Sequence, residues 1–535
     1  MLIWFMRWQE LLKKYPKKIL YVASALLPMT IMLLVWASIG MYPFGNKSLM
    51  AVDFGQQYIS FFGLLKNAVL TGDLSSLSYS FTKSLGGDMI GVLGYYLMSP
   101  FNLIYILTPL KYFGAAVFLT IWLRYGAMGM SFAFLLIKRY KGSVSRRWMV
   151  PLFSTAYALS GMMVSYQMNV IFYDAMILLP IVIVYLEKLL DGQSPYQYAL
   201  ALGLTVLLQF YMGYMISIFI VLYSCYYVSP RLMGEGDFKT RLKNFSLPLL
   251  QLVIYTIIGI ATAAILILPV FFNLIESKGQ VGGGMTFSFA FQINPLDILA
   301  KLVVGGFDTT SGWSAGPNLP NIFIGALSFL GYIFYFQSKE VSKAKKWAAG
   351  IVTLVFLISF VNEFVSKIWH MGQNPAGFFF RFSWLFSFFM LVLAYQAVKT
   401  KVLISKWTNC LIGLGLLLSV VYLYFHQYSF IAKTQLKAIT QFFSKFSILS
   451  VLLLAAIISL LFYAYWEKSQ KSQLSKAIRM GGAGVLLVVA AILLKMGYLL
   501  SQVGITVILY LAILGILNLQ WSRISVIVVS LLTIF

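Results

Sequence analysis

The sequence predicts an all-α polytopic membrane protein. Long apolar runs recur from Ile19 to the C-terminus, and 60% of the 535 residues are hydrophobic against 10% charged. Lys and Arg are also biased to alternate loops, with no matching bias in Asp and Glu. A hydrocarbon core about 30 Å thick needs roughly 20 apolar residues per helix. Segments 19–40, 112–137, 248–272, 379–398, 446–466 and 481–500 approach or meet that length. The pattern predicts a bundle of about 13–14 transmembrane helices, with large outer loops after spans 1 and 7.

A net charge of +25 on a soluble chain would suggest nucleic acid, but the cations here follow topology instead of forming one binding surface. With a cytoplasmic N-terminus, inner segments hold 27 of the 40 Lys/Arg and outer segments ten, while the acids divide eight outside and seven inside. That asymmetry predicts a multi-pass membrane protein with its N-terminus cytoplasmic and no nucleic-acid partner. Inner charge also attracts anionic lipid, without adding specificity.

The basic, amphipathic "MRWQELLKKYPKK" precedes span 1, and no A-x-A-like site follows it, so span 1 is expected to be an uncleaved signal anchor. Span 1 (19–40) leads into the loop 41–111, and span 2 (112–137) returns to "KRYKGSVSRR". Spans 3 and 4 (about 148–166 and 175–190) form a hairpin with the outer turn "MNVIFYDAM". The run 197–228 is too long for one upright helix and is expected to split at "YMGYM" into spans 5 and 6. Span 7 (248–272) opens the second large loop, 273–320, whose Gly282, Gly283 and Gly284 predict irregular backbone. Later spans follow as hairpins. The last segment, "ISVIVVSLLTIF", would be about 18 Å long as a helix and cannot cross alone, so either the chain stops inside the membrane or a longer parent is cut there. The expected organisation is a basic N-terminus (1–18), a membrane module (19–400) and additional spans (401–535). Cys225 and Cys410 lie in apolar segments and support neither a disulfide framework nor a zinc site.

The large loops concentrate outer acids: Asp53, Asp73 and Asp88 in the first, and Glu276, Asp297 and Asp308 in the second. Asp53 begins "DFGQQYISFFGLLKNAVL", where Phe54, Tyr58, Phe61, Leu65 and Val69 recur at helical spacing. Such a helix would lie in the interface plane with Asp53 and Gln57 on its polar side. Asp53 as a plain helix N-cap is the competing reading. Asp174 interrupts an apolar hairpin near the membrane boundary, either as a functional acid or as an exposed turn residue. Arg381, in "GFFFRFSWLFSFF", is placed to grip a lipid-linked phosphate, and snorkelling to the interface explains it almost as well. Arg124, deeper in span 2, needs a partner or a water-filled cavity. His370 and His426 fall on different outer boundaries, which argues against a paired-histidine mechanism. No Walker loop, dinucleotide fingerprint or nucleophile elbow is present, so an outer-face enzyme would need a membrane-borne activated substrate.

Five strings, in order, carry a family resemblance: "VDFGQQYISFFGLLKNAVLTGDL", "SYSFTKSLGGDMIGVLGYYLMSPFNLI", "FYDAMILLPIVIVYLEKLLDG", "FYMGYMISIFIVLY" and "FRFSWLFSFFMLVLAY". Through them the chain resembles, over roughly residues 20–400, the bacterial YfhO family of GT-C class glycosyltransferases. The resemblance implies a GT-C-like bundle in which Asp53 is the general base, with Asp174 as a supporting acid or metal ligand. It further implies Arg381 at the donor phosphate, Gln57 and Tyr58 as substrate contacts, and a raised Asp53 pKa. The implied reaction moves a sugar from a polyprenyl phosphate to an envelope polymer such as a teichoic acid, with inversion, in a Gram-positive envelope. Implied partners are a donor-synthesising glycosyltransferase and a flippase. A divalent cation shared by Asp53, Asp174 and the phosphate suits hard oxygen ligands, with a metal-free site as the alternative. Family members run on into a long extracytoplasmic C-terminal region that this sequence lacks. Two other readings compete: a transporter or flippase for lipid-linked sugars, which should show inverted repeats and discontinuous helices, and a noncatalytic envelope-assembly scaffold.

Overall fold

The computed structural model describes residues 16–83, 85–140, 149–276, 288–302, 319–375 and 377–399, together with 411, 412, 414, 415, 418, 419, 422 and 510. In chain order its principal helices are α1 (Pro16–Ser38), α2 (Ile59–Thr71), α3 (Phe113–Arg139), α4 (Met149–Ala158), α5 (Tyr173–Leu190), α6 (Tyr196–Leu208) and α7 (Phe210–Val228). They continue as α8 (Phe238–Thr262), α9 (Ala264–Glu276), α10 (Ala326–Tyr335), α11 (Lys343–Val361), α12 (Glu363–Trp369) and α13 (Ser383–Lys399). The fold is the expected all-α polytopic one. Among the described residues six helices are long and apolar enough to cross a membrane. A bent pair, Ile90–Leu97 and Pro100–Leu107, folded by 91°, makes up to seven. The spans expected at 446–466 and 481–500 lie outside the described residues.

The described residues divide into two compact units. The first draws on 1–159, 166–291 and 340–375, and the second on 160–165, 292–339 and 376–535. In the first unit α3 is the central helix, packed by α1, α4 and α5. Pro28 inside α1 has no N–H, so the Ser24 carbonyl loses its helical donor. At that point α3 presents Gly129, where a Cβ would overlap the Ser24 carbonyl oxygen. Close backbone approach through small residues is a common way for membrane helices to gain contact, because lipid offers them no hydrophobic drive to associate. Gly129→Leu is expected to force α1 and α3 apart, at about 3 kcal/mol. The check is the amount of membrane-inserted protein that survives detergent extraction and limited proteolysis.

The expected break in 197–228 is present, but at Gln209, just ahead of "YMGYM". Here α6 and α7 form an antiparallel hairpin. Lys188 donates to Gln197 at 3.1 Å and Tyr227 to Asp191 at 2.9 Å, so both far ends of the hairpin return to the C-terminal end of α5. At the same end Glu187 accepts from Tyr223 at 2.6 Å and pairs with Arg139 at 3.3 Å. The span expected at 248–272 differs more. Asp237 caps α8 by accepting from the Thr240 N–H, so the helix starts ten residues early, through the basic "FKTRLKN". It stops at Thr262, whose hydroxyl takes the Gly259 carbonyl while the Ala263 N–H bonds back to Ile260, and α9 carries the rest.

In the second unit α10 and α13 lie along each other, with Gly331 against Ala394 and Val398. Lys301, 1% exposed, donates to Asn321 at 2.8 Å, and Tyr422 donates to Asp297 at 2.8 Å.

Candidate functional site

The site is built at the end of the first unit that carries the loop between α1 and α3. Asp53 follows Val52, whose φ of 52° puts a β-branched residue in the left-handed region. Such a conformation costs about 1–3 kcal/mol and persists only where the surroundings hold it. Here they do. Gly55 sits so close to the Met50 carbonyl that a Cβ would come within 2.8 Å of its oxygen, and Phe54 is fully buried. Asp53 itself is half-buried and stands at the N-cap position of the helical segment that follows, without a side-chain capping bond to it.

The next turn, Phe54–Tyr58, is π-helical before α2 begins. A wider turn changes the register of everything after it. The buried line runs Phe54, Tyr58, Phe62, Leu65 and Ala68, whereas Phe61 is half-buried and Val69 exposed. That line packs on protein: Phe62 stacks on Tyr105 at 4.3 Å, and the Tyr105 hydroxyl bonds Thr120 at 2.7 Å. The expected amphipathic stripe therefore exists, shifted, and faces the bundle.

Two expected substrate contacts fall differently. Gln57 is exposed and accepts from the Tyr96 hydroxyl at 3.3 Å. Tyr58 is 3% exposed and donates to Asn169 Oδ1 at 2.8 Å, which makes it an anchor between the Asp53 segment and the approach to α5. Tyr58→Phe strands that buried amide, whose Nδ2 already has no partner, and is expected to cost about 1–3 kcal/mol. The measurement is a thermal melt of the purified protein, with no shift counting against the anchor.

Asp174 is buried in the first turn of α5 and is not an exposed turn residue. Its partner is Arg124: Nη2 lies 3.4 Å from Asp174 Oδ2, with side chains 1% and 4% exposed. The same nitrogen donates to Ser99 Oγ at 2.7 Å, and the guanidinium lies 4.6 Å from the Phe101 ring centroid. Ser99 is the elbow of the bent pair and caps its second arm. The partner that Arg124 requires is thus an ion pair plus an elbow hydroxyl.

Around these lies a polar and aromatic wall. Gln209 donates to the Tyr95 and Ile171 carbonyls, both at 3.1 Å, and Asn102 donates to the Leu97 carbonyl at 3.1 Å. Rings run from Tyr58 to Tyr96 (5.2 Å), Tyr95 (4.8 Å) and Tyr211 (6.0 Å), and the Tyr211 hydroxyl bonds His370 Nδ1 at 2.7 Å. Nearby in sequence, Lys367 and Asn374 hold the Glu363 carboxyl below the usual carboxylate range. Tyr96, Ser99, Asn169, Gln209 and Tyr211 were not singled out from sequence. The available signals were Pro100 in an apolar stretch and single amides inside apolar runs.

Arg381 belongs to the second unit. It follows Phe378 and Phe380, with φ of 52° and 54°, and donates to the Phe378 and Gly377 carbonyls at 3.3 and 3.0 Å. Arg381 and Asp53 thus each directly follow a non-glycine residue in the left-handed region. Among the described residues no group of three or more His, Cys, Asp or Glu side chains could hold a metal ion.

These features define a multi-pass, all-α membrane protein with a polar site at one end of its bundle. Residues 24–535 match the model of the family described as bacterial membrane protein YfhO, and the chain belongs to that family. No curated protein and no solved structure matches it.

Proposed function

We propose that the protein is a GT-C class glycosyltransferase, moving a sugar from a polyprenyl phosphate to an envelope polymer such as a teichoic acid at the outer face of the cytoplasmic membrane. The observation that supports this most is Asp53: a half-buried carboxylate between a strained Val52 and a buried Phe54, in the first loop of a YfhO-family chain. In the reaction an acceptor hydroxyl oxygen bonds the anomeric carbon while the bond from that carbon to the phosphate oxygen breaks. Asp53 takes the hydroxyl proton as general base, and the polyprenyl phosphate leaves from the opposite face, so configuration inverts. Half-exposed Tyr95, Tyr96 and Tyr211 flank the Asp53 segment and offer faces and hydroxyls to a sugar ring.

A second reading, a flippase for the same lipids, draws on one observation: the 91° break in the bent pair, of the kind transporters place at substrate sites. Purified protein in liposomes carrying a polyprenyl-phosphate sugar, with soluble teichoic acid added, separates the two. Covalent labelling of the polymer is expected, and donor crossing the bilayer with the polymer left unlabelled would sink the transferase.

A further inference from the structure

We propose that Arg124, with Ser99 as second donor, is the site that takes the phosphate group of the polyprenyl lipid. The proposal deepens the transferase reading and rests on it for the identity of the lipid. Arg124 is 1% exposed, in the middle of a helix long and apolar enough to span a membrane. A guanidinium carries five donors, and it is always charged. Nη2 serves both Ser99 and Asp174, while Nε and Nη1, each buried, have no hydrogen-bond partner.

A purely structural ion pair should be tighter and better saturated than this. At 3.4 Å the contact to Asp174 exceeds the roughly 2.7–2.9 Å of a strong charge-assisted bond. A buried charge with unfilled donors is costly unless something completes it, and ionisable groups at membrane depth mark functional sites more often than not. An anionic oxygen ligand would complete it. Asp174 balances the guanidinium charge and is the group the phosphate competes with. The cover is small: Nε and Nη1 are enclosed, but Ser99 and Phe101 at the elbow are half-exposed and Pro100 is exposed. A headgroup displaces the Phe101 ring from the guanidinium and gains the Ser99 hydroxyl in the same step. Arg381 fits the task less well, since it already donates to two carbonyls of its own loop.

The test is binding of a polyprenyl monophosphate to the full chain in detergent, with the matching polyprenol, inorganic phosphate and phosphatidylglycerol as separate arms. Wild type is expected to bind the polyprenyl monophosphate at least tenfold tighter than the polyprenol. Phosphate alone and phosphatidylglycerol are expected to compete weakly. Because Arg124→Met alone strands Asp174, the informative variant is Arg124→Met with Asp174→Leu, which removes both charges and keeps volume. It is expected to fold, by melting and size exclusion, and to lose roughly tenfold or more in affinity. Unchanged affinity in the folded double variant, or equal binding of phosphate lipid and polyprenol by wild type, overturns the proposal. Tight binding by inorganic phosphate or phosphatidylglycerol overturns the assignment to a polyprenyl lipid. If binding behaves as expected but no sugar reaches the polymer, the transferase reading fails and the phosphate site stands.

Discussion

Asp53→Asn is expected to abolish sugar transfer to the envelope polymer while leaving the protein folded and inserted. The loss should be at least 100-fold, the scale of a general base whose proton acceptor has been removed. Folding is expected to survive because Asp53 is half-buried and its side chain makes no capping bond, so an isosteric amide removes no cap from the helix. Val52, Phe54 and Tyr58 fix the conformation of the segment. Asp53→Glu offers a second readout. It keeps the charge but moves it by one methylene, and a positioned base loses activity while a diffuse electrostatic role does not. Transfer by purified protein in liposomes, divided by folded protein, is the measurement. Asn activity within a few-fold of wild type would remove Asp53 from the chemistry. A noncatalytic scaffold predicts that result.

Some of this was legible in the sequence because it depends on composition and period. The spans are long apolar runs, so α1, α3, α5 and the α6–α7 split follow from hydropathy to within a few residues. What escaped depends on local geometry that no period encodes. The π-helical turn at Phe54–Tyr58 moves the buried stripe from Phe61 and Val69 to Phe62 and Ala68. The loop expected to hold one interfacial helix also holds a bent apolar pair, too short in each arm to register as a span. Arg124 and Asp174 were each visible as isolated charges, but the sequence separation of fifty residues hid their pairing. Tyr58 was a substrate contact only by family resemblance. Its burial against Asn169 is a fact of packing.

The pairing of Arg124 with Asp174 carries the largest expected stability effect. Asp174→Ala deletes the carboxylate and leaves the guanidinium buried in a membrane-spanning helix with no counter-charge. Removing one partner of a buried pair typically costs about 3–5 kcal/mol, most of it the penalty of the charge left behind. Against a total stability of roughly 5–15 kcal/mol this is enough to deplete the inserted protein severely. The neutral isostere Asp174→Asn should cost less, since its Oδ1 still accepts from Nη2. The decisive comparison is Asp174→Leu alone against Asp174→Leu combined with Arg124→Met. If the penalty comes from the orphaned cation, the second substitution restores much of the lost protein, although it removes one more polar contact, to Ser99. If instead the carboxylate matters for its own contacts, the double variant is at least as unstable as the single one. Folded protein recovered from membranes and its melting temperature decide between these outcomes. Asp174→Leu behaving like wild type would show that the helix pair tolerates an unpaired Arg124, and the ion pair would then have no part in holding the elbow at Ser99 against α5.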